Sequence, residues 1–112
     1  MKVLLDENLP HELRRHLFPH LGFTVHYMGW SGTKNGALLA KAAAEQFDVM
    51  LIMDSGVPYQ QNRAMRPISV VVLSAASNDL SDLLPLIPRI LESLSIIQPQ
   101  SLLQIGINQN PD

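Results

Sequence analysis

Two aliphatic runs, each too short for a helix and each ending in a carboxylate, fix most of what this chain can become. Val3, Leu4 and Leu5 lead into Asp6, and residues 49–53 lead from Asp48 into Asp54. Runs of this length, unbroken by polar residues and bounded by turn formers, read as strands buried on both faces, the kind a parallel sheet uses. Strand signals alternate with helix signals along the rest of the chain, which predicts an α/β fold with five strands. In open sheets of this kind ligands gather beyond the carboxyl ends of the strands. Asp6 and Asp54 therefore emerge on one edge of the sheet.

The expected strands are residues 2–6, 23–27, 48–53, 68–73 and 102–107, with the fourth placed centrally. A first helix follows Pro10, which suits the first helical position because no N–H is needed there. Its Leu9, Leu13 and Leu17 form an apolar stripe, and Pro19 and Gly22 end it. Residues 28–35 read as a loop, and Asn35 as the N-cap of a second helix whose Leu38, Leu39, Ala42 and Ala43 face the core. Residues 55–66 read as a polar loop or helical turn. Residues 78–95 read as a last helix, with Pro88 bending it or delaying its start. One domain is expected over residues 1–107, with a polar tail at 108–112.

Composition narrows the class further. A hydrophobic fraction of 46% against 16% charged residues describes a folded domain rather than a disordered one. The formal charge of −2 gives no global basic footprint, so a nucleic-acid partner would need a local patch. The absence of cysteine excludes disulfides and thiolate metal sites and fits a reducing cytoplasm. There is no leader pattern and no apolar stretch of membrane length, so no membrane partner is expected. The low charge density predicts some apolar surface, and with it a homo-oligomer.

Three segments carry chemistry. Carboxylates converging at strand ends call for a positive charge between them, which Mg²⁺ or Mn²⁺ supplies through oxygen ligands. Asp6 and Asp54 are the candidate ligands; if the strand stops at Asp6, the turn brings Glu7 or Asn8 into the site. The plainer alternative is that each aspartate caps the element that follows it. Residues 29–36 offer glycines for close approach, Trp30 for stacking and Lys34 for charge, beside a helix N-terminus. Equally, Trp30 covers the edge of the core there. Tyr59, Gln60, Gln61, Asn62 and Arg63, with Arg66 beyond, suit contacts to phosphate, sugar or base, or else form a solvated turn. The histidines have no metal-site spacing: His11, His16 and His20 read as solvent-facing, and His26 lies in the second expected strand.

Residues 4–10 (Leu4, Leu5, Asp6, Glu7, Asn8, Leu9, Pro10), the segment 29–36, Asp54 and the run Tyr59 to Asn62 together resemble a PIN-like family of small, mostly bacterial proteins. That family is grouped with PIN-domain ribonucleases, including the toxins of toxin–antitoxin pairs. The resemblance spans nearly the whole chain in order. It implies a three-layer α/β/α sandwich on a mostly parallel sheet, an acidic site holding Mg²⁺ or Mn²⁺, and hydrolysis of RNA phosphodiesters. By position, Asp6 and Asp54 match the family's strand-end acids, and Asn35 stands where a helix usually supplies another acid. No carboxylate follows among residues 55–58. The expected function is a metal-dependent ribonuclease, with RNA as substrate and an antitoxin protein as partner. Two alternatives stand beside it: a non-catalytic module binding RNA or protein, and a receiver-like phosphoacceptor. The receiver pattern needs a lysine after the fifth strand, and no lysine follows Lys41.

Overall fold

The computed structural model describes residues 1–54 and 67–106, and of Asn35 the backbone. Five strands, β1 (Lys2–Leu5), β2 (Leu21–Thr24), β3 (Val49–Met53), β4 (Ser69–Ser74) and β5 (Leu102–Gly106), form one sheet in the order β2-β1-β3-β4-β5. Every pairing is parallel. The helices are α1 (Asn35–Ala44), α2 (Leu80–Leu83) and α3 (Ile87–Ile96), with 3-10 turns at His11–His16 and Leu84–Leu86.

Strand alternation sorts the core into two layers. Val3 and Leu5 of β1, Val49 and Leu51 of β3, and Val71 and Leu73 of β4 pack against Leu13, Leu17, Leu83, Ile90 and Leu94 on one face. Leu4, Met50, Ile52, Val70 and Val72 pack against Leu38, Leu39, Ala42 and Phe47 on the other. The result is an α/β/α sandwich, as the sequence leads one to expect. Among the described residues Ser69 is the buried polar side chain: its hydroxyl donates to the Gln98 carbonyl at 2.6 Å and accepts the Ser101 N–H at 3.1 Å, fastening β4 to the start of β5.

Several local expectations are corrected. The first helix is a 3-10 segment, closed by Leu13 N–H to the Pro10 carbonyl and Leu17 N–H to the Arg14 carbonyl. Pro10 is its N-cap rather than its first residue. Pro10 and Pro19 leave too little chain between them for a cooperative α-helix. The second strand starts and stops earlier than residues 23–27, because Leu21 bonds to Met1 and the Thr24 carbonyl and hydroxyl turn the chain by accepting the N–H groups of Met28 and Tyr27. His26 consequently sits exposed in a turn, and Gly22 lies within a strand instead of ending a helix.

Lys34, not Asn35, caps α1: its carbonyl accepts the Leu38 N–H at 2.7 Å, so Asn35 is the first helical residue. The last helix is divided into α2, a 3-10 turn and α3. α3 starts at Ile87 with Pro88 in its first turn, the late start expected of that proline, and Pro85 adds a break in the 3-10 turn. β4 is an interior strand, as expected, paired with β3 on one side and β5 on the other, and β3 holds the middle of the sheet. The polar loop 55–66, Ile107 and the tail lie outside the described residues.

Candidate functional site

The sheet order turns at β1. The chain leaves β1 for the edge strand β2, then returns across β1 to reach β3. Connections diverging on either side of adjacent strands open a crevice at their carboxyl ends, and β1/β3 is such a switch point. Asp6 directly follows β1 and Asp54 directly follows β3. Each is held by its backbone: Asp6 N–H donates to the Leu51 carbonyl at 3.0 Å, and Asp54 N–H to the Leu73 carbonyl at 2.8 Å. Leu5 pairs with Leu51, so Asp54 lies two residues beyond the position beside Asp6 and one strand across. Strand rise and spacing put their Cα atoms roughly 8 Å apart, a span that two carboxylate side chains can close around one cation.

The two carboxylates have different surroundings. The Ser74 hydroxyl at the end of β4 donates to Asp54 Oδ2 at 2.8 Å and orients that exposed side chain. Asp6 is half-buried, and burial pushes its carboxyl above the usual carboxylate range; backbone N–H groups of Asn8 and Glu7 pull it back in part, while the Glu7 charge raises it further. The Asn8 N–H lies 3.5 Å from Asp6 Oδ2. The Asn8 carbonyl accepts Asn78 Nδ2 at 2.7 Å, which ties the loop after β1 to the loop after β4.

Glu7 and the segment 29–36 meet at this edge. Glu7 Oε1 accepts the Gly32 N–H at 2.9 Å, so the carboxylate braces that loop. Trp30 packs its ring edge-on to Phe47, 6.0 Å between centroids, and joins the layer under α1, which is the core-covering alternative for this residue. Gly29 and Gly32 adopt φ of 76° and 82°, a left-handed turn in which a side chain would be strained. Lys34 is exposed at the α1 N-cap. The side chain of Asn35 and the residues Tyr59, Gln60, Gln61, Asn62 and Arg63 lie outside the described structure.

A cleft of about 760 Å³ opens from Asp6 and Glu7 along β2. Its lining includes Pro10, His11 and Arg14 of the 3-10 segment and its start, and Phe23, His26 and Tyr27 of β2 and the turn that follows. Sequence reading missed Arg14, Tyr27 and Asn78 because they reach this edge from separate elements with no shared spacing. Ser74, which with Ala75 fits the receiver-like pattern after the fourth strand, stands at the third strand end beside the two aspartates. His16 is exposed, and His20 is occupied elsewhere, 3.2 Å from the N-terminal amine.

Two carboxylates with oxygen donors only, one of them desolvated, suit Mg²⁺ or Mn²⁺, which take one or two protein carboxylates and fill the remaining positions with water or substrate oxygen. Among the described residues, no set of three or more His, Asp or Glu side chains is grouped to hold a metal ion. Among the same residues no helix is long and apolar enough to cross a membrane. No protein-family model, curated protein or solved structure matches this chain.

Proposed function

We propose that the β1/β3 edge is the acidic site of a PIN-like, metal-dependent ribonuclease acting in the cytoplasm, of the kind that includes the toxins of toxin–antitoxin pairs. The observation that carries this reading is the position of Asp6 and Asp54 at the carboxyl ends of adjacent parallel strands at the switch point of the sheet. Asp6 and Asp54 would hold Mg²⁺ or Mn²⁺, with Asn35 as a further ligand. When bound, such an ion acidifies a water and offsets charge on a phosphodiester. Ser74 fixes the Asp54 carboxylate, Asn78 fixes the loop carrying Asn8, and Glu7 fixes the loop of Trp30 and Lys34 on the substrate side. Tyr59, Gln60, Gln61, Asn62 and Arg63 would supply further contacts to RNA. An antitoxin or a second copy would find apolar surface at Phe18, Leu21 and Ile96, all well exposed.

Purified protein incubated with single-stranded RNA and Mn²⁺ tests the reading. Cleavage should depend on the metal and be lost in both Asp6→Ala and Asp54→Ala. Cleavage that survives both substitutions belongs to a contaminant and removes the assignment.

A second reading is a non-catalytic module that keeps the fold and binds RNA or protein. The commitment of Glu7 to Gly32 favours it, because it leaves two carboxylates for the ion among the described residues. Calorimetry with Mn²⁺ separates the two, since this module binds none at millimolar concentration. The sheet order also suits a receiver-like phosphoacceptor at Asp54, but no lysine follows Lys41 to meet a phosphoryl group.

A further inference from the structure

The cleft beside Asp6 carries groups that metal binding does not use. Arg14 stands on the 3-10 segment with its Cα and Cβ against Gly22 of β2, while its longer side chain lines the cleft. Among the described residues neither Arg14 nor Arg15 has a carboxylate within ion-pair distance; the pair formed on this segment is His11 with Glu12, 3.7 Å apart. Tyr27, which also lines the cleft, is 74% exposed, yet its ring rests 5.9 Å from that of Phe23. An aromatic face supported from behind and open in front is a stacking platform.

The cleft is lined by Asp6 and Glu7, by His11 and Arg14 of the 3-10 segment, and by His26 and Tyr27 of the turn after β2. Val25 bonds to Leu5, so Gly22 and the Arg14 backbone sit three residues back along β2 from the level of Asp6, about 10 Å away. A nucleic-acid strand advances about 3.4 Å per stacked nucleotide, so that distance reaches a phosphate a few nucleotides from the one at the aspartates.

We infer that this cleft is the subsite for single-stranded RNA flanking the cleaved bond: the Arg14 guanidinium takes a backbone phosphate and Tyr27 stacks a base. The assignment rests on the hydrolase reading for the identity of the ligand. It adds residues and a spacing along β2 that the acidic pair does not define. A folded RNA helix would not enter, because stacking on Tyr27 requires an unpaired base.

The test is fluorescence anisotropy of the full chain with a labelled ten-nucleotide oligouridylate in EDTA, over a series of salt concentrations. Arg14→Ala keeps the Cβ that packs on Gly22, so the fold is retained. It should reduce the slope of log K against log salt by about 0.7, the value for one phosphate contact on a single strand. Tyr27→Ala should weaken binding about tenfold with the slope unchanged. Arg15→Ala, whose side chain is outside the cleft lining, should leave both unchanged. Absence of binding, or binding indifferent to Arg14 and Tyr27, overturns the inference. RNA cleavage that needs Asp6 but ignores Arg14 and Tyr27 overturns this subsite and leaves the hydrolase reading standing. Binding that needs Arg14 and Tyr27, without Asp6-dependent cleavage, sustains the subsite and removes the hydrolase.

Discussion

Replacing Gly22 by alanine drives a methyl group into the 3-10 segment that walls the cleft. A Cβ at this position lies 2.8 Å from Arg14 Cβ and 3.3 Å from Arg14 Cα. Carbon atoms settle at roughly 3.5–4.0 Å, so the two elements must separate by about 1 Å. The atoms in the way are backbone and first side-chain carbon, which no rotamer change moves. The shift therefore takes Leu13 and Leu17, both fully buried, out of register with β1 and α3. Overpacking of this kind costs about 1–3 kcal/mol. Gly22 is not among the described glycines with positive φ, so alanine recovers about 0.5–1 kcal/mol of unfolded-state entropy. The net expectation is a loss of about 1–2 kcal/mol, which lowers a urea midpoint by about 0.5–1 M at an ordinary m-value. Gly36→Ala is the internal control: nothing lies within 4 Å of its Cβ position and its φ is not positive, so stability should rise by up to about 1 kcal/mol. A Gly22→Ala midpoint at or above wild type would refute the close-packing argument.

Ser69→Ala should cost about 1–3 kcal/mol in urea unfolding, because the Gln98 carbonyl and the Ser101 N–H both lose their partner. Glu7→Ala should speed amide exchange at Gly32 by roughly fivefold or more, while Glu7→Gln, which keeps an acceptor, should not. Asp6 gives a pH signature in metal-free buffer. Its folded pKa is raised from 3.8, so its contribution is full below that value and is lost as pH rises through the folded pKa. Asp6→Asn should therefore gain stability relative to wild type as pH rises from 4 toward neutrality, and a difference that is flat with pH would contradict the burial argument.

The parts of this fold that were legible in the sequence are those set by burial alone. Residues 3–5, 49–53 and 70–73 have no polar interruption, so the inner strands and the two strand-end aspartates follow from them. Edge strand β2 was displaced because Phe23, Val25 and Tyr27 have stronger β propensity than Leu21 and Gly22. What decides its position is a glycine that reads as a breaker and is required by the approach of Arg14. The first helix failed for a related reason: the spacing of Leu9, Leu13 and Leu17 fits an α-helix, and the buried positions are right, but flanking prolines select a tighter winding. At the site, Asp6 and Asp54 were readable as strand ends. The wall formed by Arg14 and Tyr27 was not, since pairing of β2 with β1 is what brings those residues beside Asp6.

The strand order also dictates how the sheet can grow as the chain is synthesised from its N-terminus. β1 and β2 are made first, and each later strand lies on the same flank: β3 on β1, β4 on β3, β5 on β4. At every stage a growing sheet has a flank of unpaired N–H and C=O groups on the side of the next strand. The last such flank belongs to β4, whose residues Val70 to Leu73 are among the most hydrophobic in the chain. Residues 102–106 therefore act as a terminal closure, and a chain truncated before them would offer β4 to any other strand in solution.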